Sequence, residues 1–201
     1  MWIIKYADCI LIMKLKKGIG KMKKDIKEKL KKIKLLILDV DGVMTDGRII
    51  MDSEGHETKN FDVRDGHGIK LLQRYGIKVA ILTGRQSKVV EYRAKDLEIK
   101  DVYQKVFNKK EVFEKFLIKH KLSADEAAYI GDDIVDIPVL KRAGFSAAVA
   151  DAADVVKKSV DYITKNKGGR CAVREVCEMI LQAQGKWREI AAKYEFLKHH
   201  S

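Results

Sequence analysis

Asp39 and Asp41 stand two residues apart, behind the apolar run Leu35-Leu36-Ile37-Leu38 and directly before Gly42. Four consecutive apolar residues are long enough for a strand buried on both faces, and such a strand does not hold ionised side chains along its length. The two carboxylates therefore belong at its carboxyl end, where the glycine lets the backbone turn away. In an open parallel sheet that end is where ligands bind. Two acids there can hold Mg²⁺ and attack phosphorus. The stretch also suits a strand followed by an Asx-type turn, since Asp and Gly are ordinary turn residues. Residues farther along the chain decide between the two.

Three such groups follow in order. Thr83-Gly84-Arg85 ends the apolar run 77–82, Lys109 opens an amphipathic segment, and Gly131-Asp132-Asp133 ends the run 127–130. Each is weak alone: Thr-Gly is a common strand end, Lys105 and Lys110 compete with Lys109, and Asp133 can cap a helix. Together they complete the parts for phosphoryl transfer. Asp39 is the candidate nucleophile, forming an aspartyl-phosphate, and Asp41 the acid that protonates the leaving alkoxide and then the base that activates water. Mg²⁺ falls to Asp39, the Asp41 backbone carbonyl and Asp132. Thr83 and Lys109 fall to the non-bridging phosphate oxygens.

These residues span nearly a hundred positions, so the elements between them must bring them together. Apolar periodicity predicts a hairpin with arms 48–51 and 56–62, then helix 66–75, strand 77–82, helix 87–95 and strand 101–103. Helix 109–121, strand 127–130, helix 134–143 with Pro138 in its first turn, strands 145–149 and 162–163, and helix 172–182 complete the series. Alternating strands and helices predict an α/β fold, a parallel sheet covered by helices on both faces. All carboxyl ends of such a sheet share one edge.

The chain has 201 residues, 46% of them hydrophobic, and a formal net charge of +12. Residues 1–34 hold 12 lysines against Asp8, Asp25 and Glu28, so the basic excess belongs to an N-terminal extension and not to the domain. Nucleic-acid binding by the domain is not expected. The organisation expected is a basic extension over 1–29, helical or disordered, one domain over 30–187 and a tail over 188–201. Residues 1–13 are apolar but broken by Lys5 and Asp8, too short for a bilayer span and without a signal-peptide cleavage pattern. Cys9, Cys171 and Cys177 match no metal-ligand spacing; Cys171 and Cys177 read as small core residues, and a reduced cytoplasmic compartment is the default.

The motifs DVDGVMTDG (39–47), LTGR (82–85), Lys109 and GDDIVD (131–136) resemble those of the haloacid dehalogenase superfamily of phosphatases, with a Rossmann-like fold. NFDVRDGHGIKLL (60–72), Asn108-Lys109, AYIGDDIVDIPVL (128–140), GGRCAVREVC (168–177) and LQAQGKW (181–187) narrow the resemblance to its 3-deoxy-D-manno-octulosonate 8-phosphate (KDO 8-phosphate) phosphatase family. The resemblance implies Mg²⁺-dependent hydrolysis to KDO and phosphate in making the lipopolysaccharide inner core. Only 44 positions separate Asp39 from Thr83 and 26 separate Thr83 from Lys109, too few for the cap domain that many superfamily members carry.

An uncapped site is open to water, and the family closes it by assembling a homotetramer around central hairpins, here residues 47–62. Segment 168–170 and the tail would approach a site, a neighbour's included. The resemblance and the affinity of guanidinium for carboxylate make Arg64, Arg85 and Arg170 the candidates for the sugar acid. Relatives acting on nine-carbon 9-phosphates tend to carry lysine in place of Arg64 and to lack the arginine after TG, which favours the eight-carbon substrate. A nine-carbon sialic-acid-type phosphate, or broad sugar phosphates, is the alternative. Anionic-lipid or polyanion binding through the basic extension is an alternative of another class. His67, at a glycine-flanked helix start, suits a substrate contact or a structural one.

Overall fold

The computed structural model describes residues 24–196. The first helix, α1 (Lys24–Lys32), buries Ile26 and Leu30 on one face and leads into β1 (Leu35–Leu38), every residue of which is buried. A two-stranded antiparallel hairpin follows, β2 (Ile50–Met51) and β3 (Glu57–Thr58), paired Ile50 to Thr58 and Met51 to Glu57. Asp52 closes its turn, accepting hydrogen bonds from the backbone N–H groups of Glu54 and His56. The hairpin stands where expected but with much shorter arms, because its strands lie against solvent and have no third strand to extend them.

Next come α2 (Val63–Arg74), β4 (Lys78–Leu82), α3 (Lys88–Asp96), β5 (Asp101–Tyr103), α4 (Lys109–His120) and β6 (Ala127–Gly131). After β6 the expected helix over 134–143 is split. Residues Ile134–Asp136 form a 3-10 turn and α5 is only Ile137–Leu140, with Pro138 within its first two positions. Proline cannot donate the N–H an α-helix running through it requires, so the turn ahead of it tightens instead. Then β7 (Phe145–Ala148), α6 (Asp154–Lys157), β8 (Tyr162–Ile163), α7 (Ala172–Ala183) and α8 (Trp187–Lys193) end the fold.

Six strands form one parallel sheet in the order β5-β4-β1-β6-β7-β8. Helices α1, α2 and α7 pack together as one layer, and α4 with α5 as another, so the fold is the α/β architecture expected. No cap domain interrupts the described residues: the hairpin is the only sheet structure between β1 and α2, and α3 alone joins β4 to β5. Strand order reverses between β1 and β6, since β1 leads to β4 on one side while β6 lies on the other. Crevices form at such reversals.

Both ends of the domain extend beyond the expected boundaries. A limit at 29/30 cuts α1, which is bound to the core through Ile26, Leu30 and Ile33; a limit at 187/188 cuts α8, which buries Ile190 and Ala191. Ile26, Leu30 and Ile33 at i, i+4 and i+7 mark the first of these helices in the sequence, whereas the Trp187-Ile190-Ala191 pattern is too short to mark the second. Cys177 is core as expected, but Cys171 is half-buried at the start of α7 with a left-handed backbone. Cys9 and residues 1–23 of the basic extension lie outside the described residues.

Candidate active site

Register sets the site. Leu38 pairs with Ile81 on one side and Ile130 on the other, and β4 and β6 each run one residue farther, so the three strands end within one residue of each other. Asp39, Thr83 and Asp132 are the first or second residues beyond these ends and emerge at a single edge. Asp39 and Thr83 are buried, and Asp132 is half-buried.

Lys109 joins them from the first position of α4, whose N-terminus Asn108 caps by accepting from the Glu111 N–H. Its buried ammonium lies 3.0 Å from Asp39 Oδ2 and 2.6 Å from Asp136 Oδ1. The competition among lysines is thereby decided, since Lys105 and Lys110 are exposed.

Asp136 closes the motif 131–136, and its place in the sequence assigns it no role. It is fully buried, and both of its oxygens are engaged. Oδ1 accepts from the Tyr129 hydroxyl at 2.6 Å as well as from Lys109; Oδ2 accepts from the backbone N–H of Asp132 and Asp133 at 3.0 and 3.2 Å. It thus ties Lys109 to the loop carrying Asp132. Its spacing of four from Asp132 is the signal in the sequence, obscured because 134–143 has the pattern of a regular helix. Asp133 caps the 3-10 turn, accepting from the Ile134 N–H at 2.7 Å.

One oxygen each from Asp39, Asp132 and Asp136 lies within 4.8 Å of the others. Asp39 Oδ1 and Asp132 Oδ1 are buried and accept no hydrogen bond. Orphaned acceptors of this kind are costly unless a cation answers them. Burial and the neighbouring Asp136 push the Asp39 carboxyl up to about 6, and burial with Asp39 and Asp136 pushes Asp132 up to about 8. Burial alone would lower the Lys109 ammonium, yet the two carboxylates beside it outweigh burial and hold it above its ordinary value. One ammonium shared by two carboxylates cannot neutralise the cluster. The donor set fits a hard divalent cation on Asp39 and Asp132.

A pH dependence follows. Both carboxyl pKa values are raised above those of the unfolded chain, so between about pH 4 and 8 the metal-free folded protein binds more protons than the unfolded one. Its stability falls as pH rises through that window. In thermal unfolding with chelator, Tm will drop from pH 5 to pH 8.5, and added Mg²⁺ will raise Tm far more at pH 8.5 than at pH 5. An equal Mg²⁺ effect at both pH values would contradict the assignment.

Two glycines let the surrounding loops close on the site. Gly42 has φ +85°, and a Cβ there would lie 2.1 Å from Asp132 Oδ2. Gly42→Ala will raise the Mg²⁺ concentration for half-maximal activity by about tenfold or more, the scale of an outer-shell lesion; a metal titration of activity checks this. A Cβ on Gly168 would lie 1.7 Å from the Gly42 carbonyl oxygen, and the Gly169 N–H donates to the Val43 carbonyl at 2.9 Å. Segment 168–170 is therefore seated on the loop that carries Asp41.

The remaining candidates are placed as follows. Asp41 is half-buried and accepts from Lys59, which no motif or spacing singles out. Arg64 pairs with Asp62 at 3.1 Å and Arg85 with Glu57 of the hairpin at 2.7 Å, so each guanidinium already has a carboxylate. Arg170 is exposed. His67 has a structural neighbour, its ring centroid lying 5.9 Å from that of Tyr194 beyond α8.

Residues 98–169 match the family of haloacid dehalogenase-like hydrolases. The 3-deoxy-D-manno-octulosonate 8-phosphate phosphatase of Escherichia coli K12 is 47% identical over 170 residues, covering 85% of this chain and 90% of that protein. The chain belongs to this phosphatase family. The family's enzyme from Yersinia pestis is 46% identical over 167 residues, covering 83% of this chain and 89% of its own. Its fold is shared as well. The crystal structure of the Moraxella catarrhalis phosphatase in complex with magnesium, phosphate and KDO has a TM-score of 0.84 and 42% identity, covering 86% of this chain and 99% of that one. The Y. pestis crystal structure has a TM-score of 0.81 and 46% identity, covering 82% and 89%.

Proposed function

We propose that this protein is a Mg²⁺-dependent phosphatase that hydrolyses KDO 8-phosphate to KDO and inorganic phosphate, within lipopolysaccharide inner-core synthesis. The observation that carries the reading is the convergence of Asp39, Lys109 and Asp132 at one sheet edge, in a chain 42% identical to a phosphatase whose structure holds magnesium, phosphate and KDO.

Asp39 attacks phosphorus and becomes the aspartyl-phosphate, while Asp41 protonates the departing alkoxide. Asp41 then takes a proton from the water that hydrolyses the intermediate. Lys109 and Thr83 bind the non-bridging oxygens, and Lys109 offsets charge that would otherwise oppose an anionic substrate beside Asp39. Mg²⁺, held by Asp39, the Asp41 carbonyl and Asp132, supplies neutralisation of the phosphate so that a carboxylate can approach it. Arg64, Arg85 and Arg170 serve the sugar acid. The first two are 69% and 41% exposed at the side chain, so they remain open to a second carboxylate.

The assembly we infer is a homotetramer in which each hairpin closes a neighbour's uncapped site. Ile49, Ile50 and Met51 support it, because three consecutive apolar side chains are exposed on the hairpin. The compartment we infer is the cytoplasm, where the Mg²⁺ chemistry and free Cys171 and Cys177 are at home. No helix among the described residues is long and apolar enough to cross a membrane.

The test is kcat/KM with Mg²⁺ over KDO 8-phosphate, a nine-carbon sugar-acid 9-phosphate and simple hexose phosphates. KDO 8-phosphate should exceed every other substrate by about tenfold or more. Equal values across the panel would overturn the substrate, and absence of Mg²⁺-dependent phosphate release would overturn the reaction.

A further inference from the structure

Lys59 enters the core of the site from the end of the hairpin. Its side chain is only 1% exposed, and its ammonium contacts Asp41 Oδ1 and lies 3.2 Å from Glu57 Oε1. A lysine is almost never buried this completely unless a specific partner holds it. Here the partners form a chain: Arg85, just beyond β4, grips Glu57 at 2.7 Å, Glu57 grips Lys59, and Lys59 reaches Asp41. Among the described residues, the Asp41 carboxylate accepts a side-chain hydrogen bond from Lys59 alone.

We propose that Lys59 is a positioning residue for the acid step: it holds Oδ1 of the Asp41 carboxyl group so that Oδ2, which carries the proton given to the alkoxide, faces the leaving oxygen, with Glu57 and Arg85 holding the lysine there. The proposal rests on the reading of Asp41 as the acid given above. A carboxyl group free to rotate about its side-chain bonds spends little time in line with the departing alkoxide, and held geometry is a large part of catalytic advantage. Lys109 performs the same service for Asp39. The two carboxylates, adjacent on one loop, are thus each held by a buried lysine from a different element, Asp39 from α4 and Asp41 from the hairpin. Since the hairpin delivers Lys59, its docking and the orientation of Asp41 form one arrangement.

A purely structural anchor would affect all substrates alike, whereas a residue that positions the acid matters only where the leaving group needs a proton. An alkoxide does, and 4-nitrophenolate leaves without one. Because kcat/KM reports only the steps through the first phosphoryl transfer, it isolates this effect from later hydrolysis. In the full-length protein, Lys59→Met should lower kcat/KM for KDO 8-phosphate by about 50-fold and for 4-nitrophenyl phosphate by less than about threefold. Lys59→Gln, which keeps a donor of similar reach, should recover part of the loss and remain several-fold selective against the alkyl ester. If Lys59→Met fails to fold, the ratio in Lys59→Gln decides. Asp41→Asn should show the same selectivity, more strongly. Equal losses on both substrates in the Lys59 variants, with selectivity kept in Asp41→Asn, would overturn the role of Lys59 alone. No selectivity in Asp41→Asn would overturn the acid role of Asp41 and this proposal with it.

Discussion

Asp39→Asn will lower kcat by about 10⁴-fold or more, the scale on which loss of a covalent nucleophile is felt. The amide keeps the volume and one acceptor but cannot form the phosphoenzyme, and no carboxylate nearby can take its place. Asp132 emerges from a different strand, and Asp136 has both oxygens committed to Tyr129, Lys109 and two backbone N–H groups. The same substitution removes one of the three crowded carboxylates. In chelator at pH 8 the variant will therefore be more stable than the parent, the parent's Asp39 being raised to about 6 and Asp132 to about 8. Phosphate release and thermal unfolding check the two halves. A variant that retained more than about 1% of kcat would refute Asp39 as nucleophile.

Lys109→Met carries the largest expected cost in stability. The ammonium is 4% exposed at the residue level and lies between two buried carboxylates, 3.0 and 2.6 Å away. Removing one partner of a buried ion pair strands the other charge and costs about 3–5 kcal/mol. Here Asp136 is stranded with only the Tyr129 hydroxyl and backbone donors, and Asp39 with less. The penalty will be larger at pH 8 than at pH 5, because Asp39, raised to about 6, escapes it at low pH by taking up a proton. Activity should fall by about 10²–10³-fold or more through loss of a donor to the transferring phosphoryl group. Urea unfolding at the two pH values and steady-state kinetics measure this. Lys110→Met, one residue on and exposed, should change stability by less than about 0.5 kcal/mol.

The inner strands are legible because they are apolar runs bounded by breaks, 77–82 and 127–130 to within one residue; the short, partly buried edge strands 101–103 and 162–163 follow from the alternation with helices. A strand buried on both faces needs only local composition to be recognised. Elements held by other elements were harder to read. Pro138 breaks the helix locally, but the course of the 3-10 turn Ile134–Asp136 ahead of it carries Asp136 inward to Lys109 and Tyr129, a contact between α4, β6 and that turn. In α8, three apolar positions acquire meaning only once α7 offers a surface to cover. Helix α1 is different: Ile26 and Leu30 at helical spacing mark it despite the surrounding lysines.

The candidate site divides along the same line. The sequence alone determined which residue types stand at the ends of β1, β4 and β6, since carboxylates and a hydroxyl directly after buried strands have nowhere to go but the sheet edge. Tertiary structure decided which side chains hold them. It selected Lys109 over Lys105 and Lys110, made Asp136 the link between that lysine and the Asp132 loop, and paired Arg64 and Arg85 with Asp62 and Glu57. It also brought Lys59 onto Asp41 across 18 residues of chain. Strand ends follow from short-range hydrophobic pattern, whereas the charge that meets each carboxylate depends on how the loops fold back, a matter of long-range geometry that no local spacing encodes.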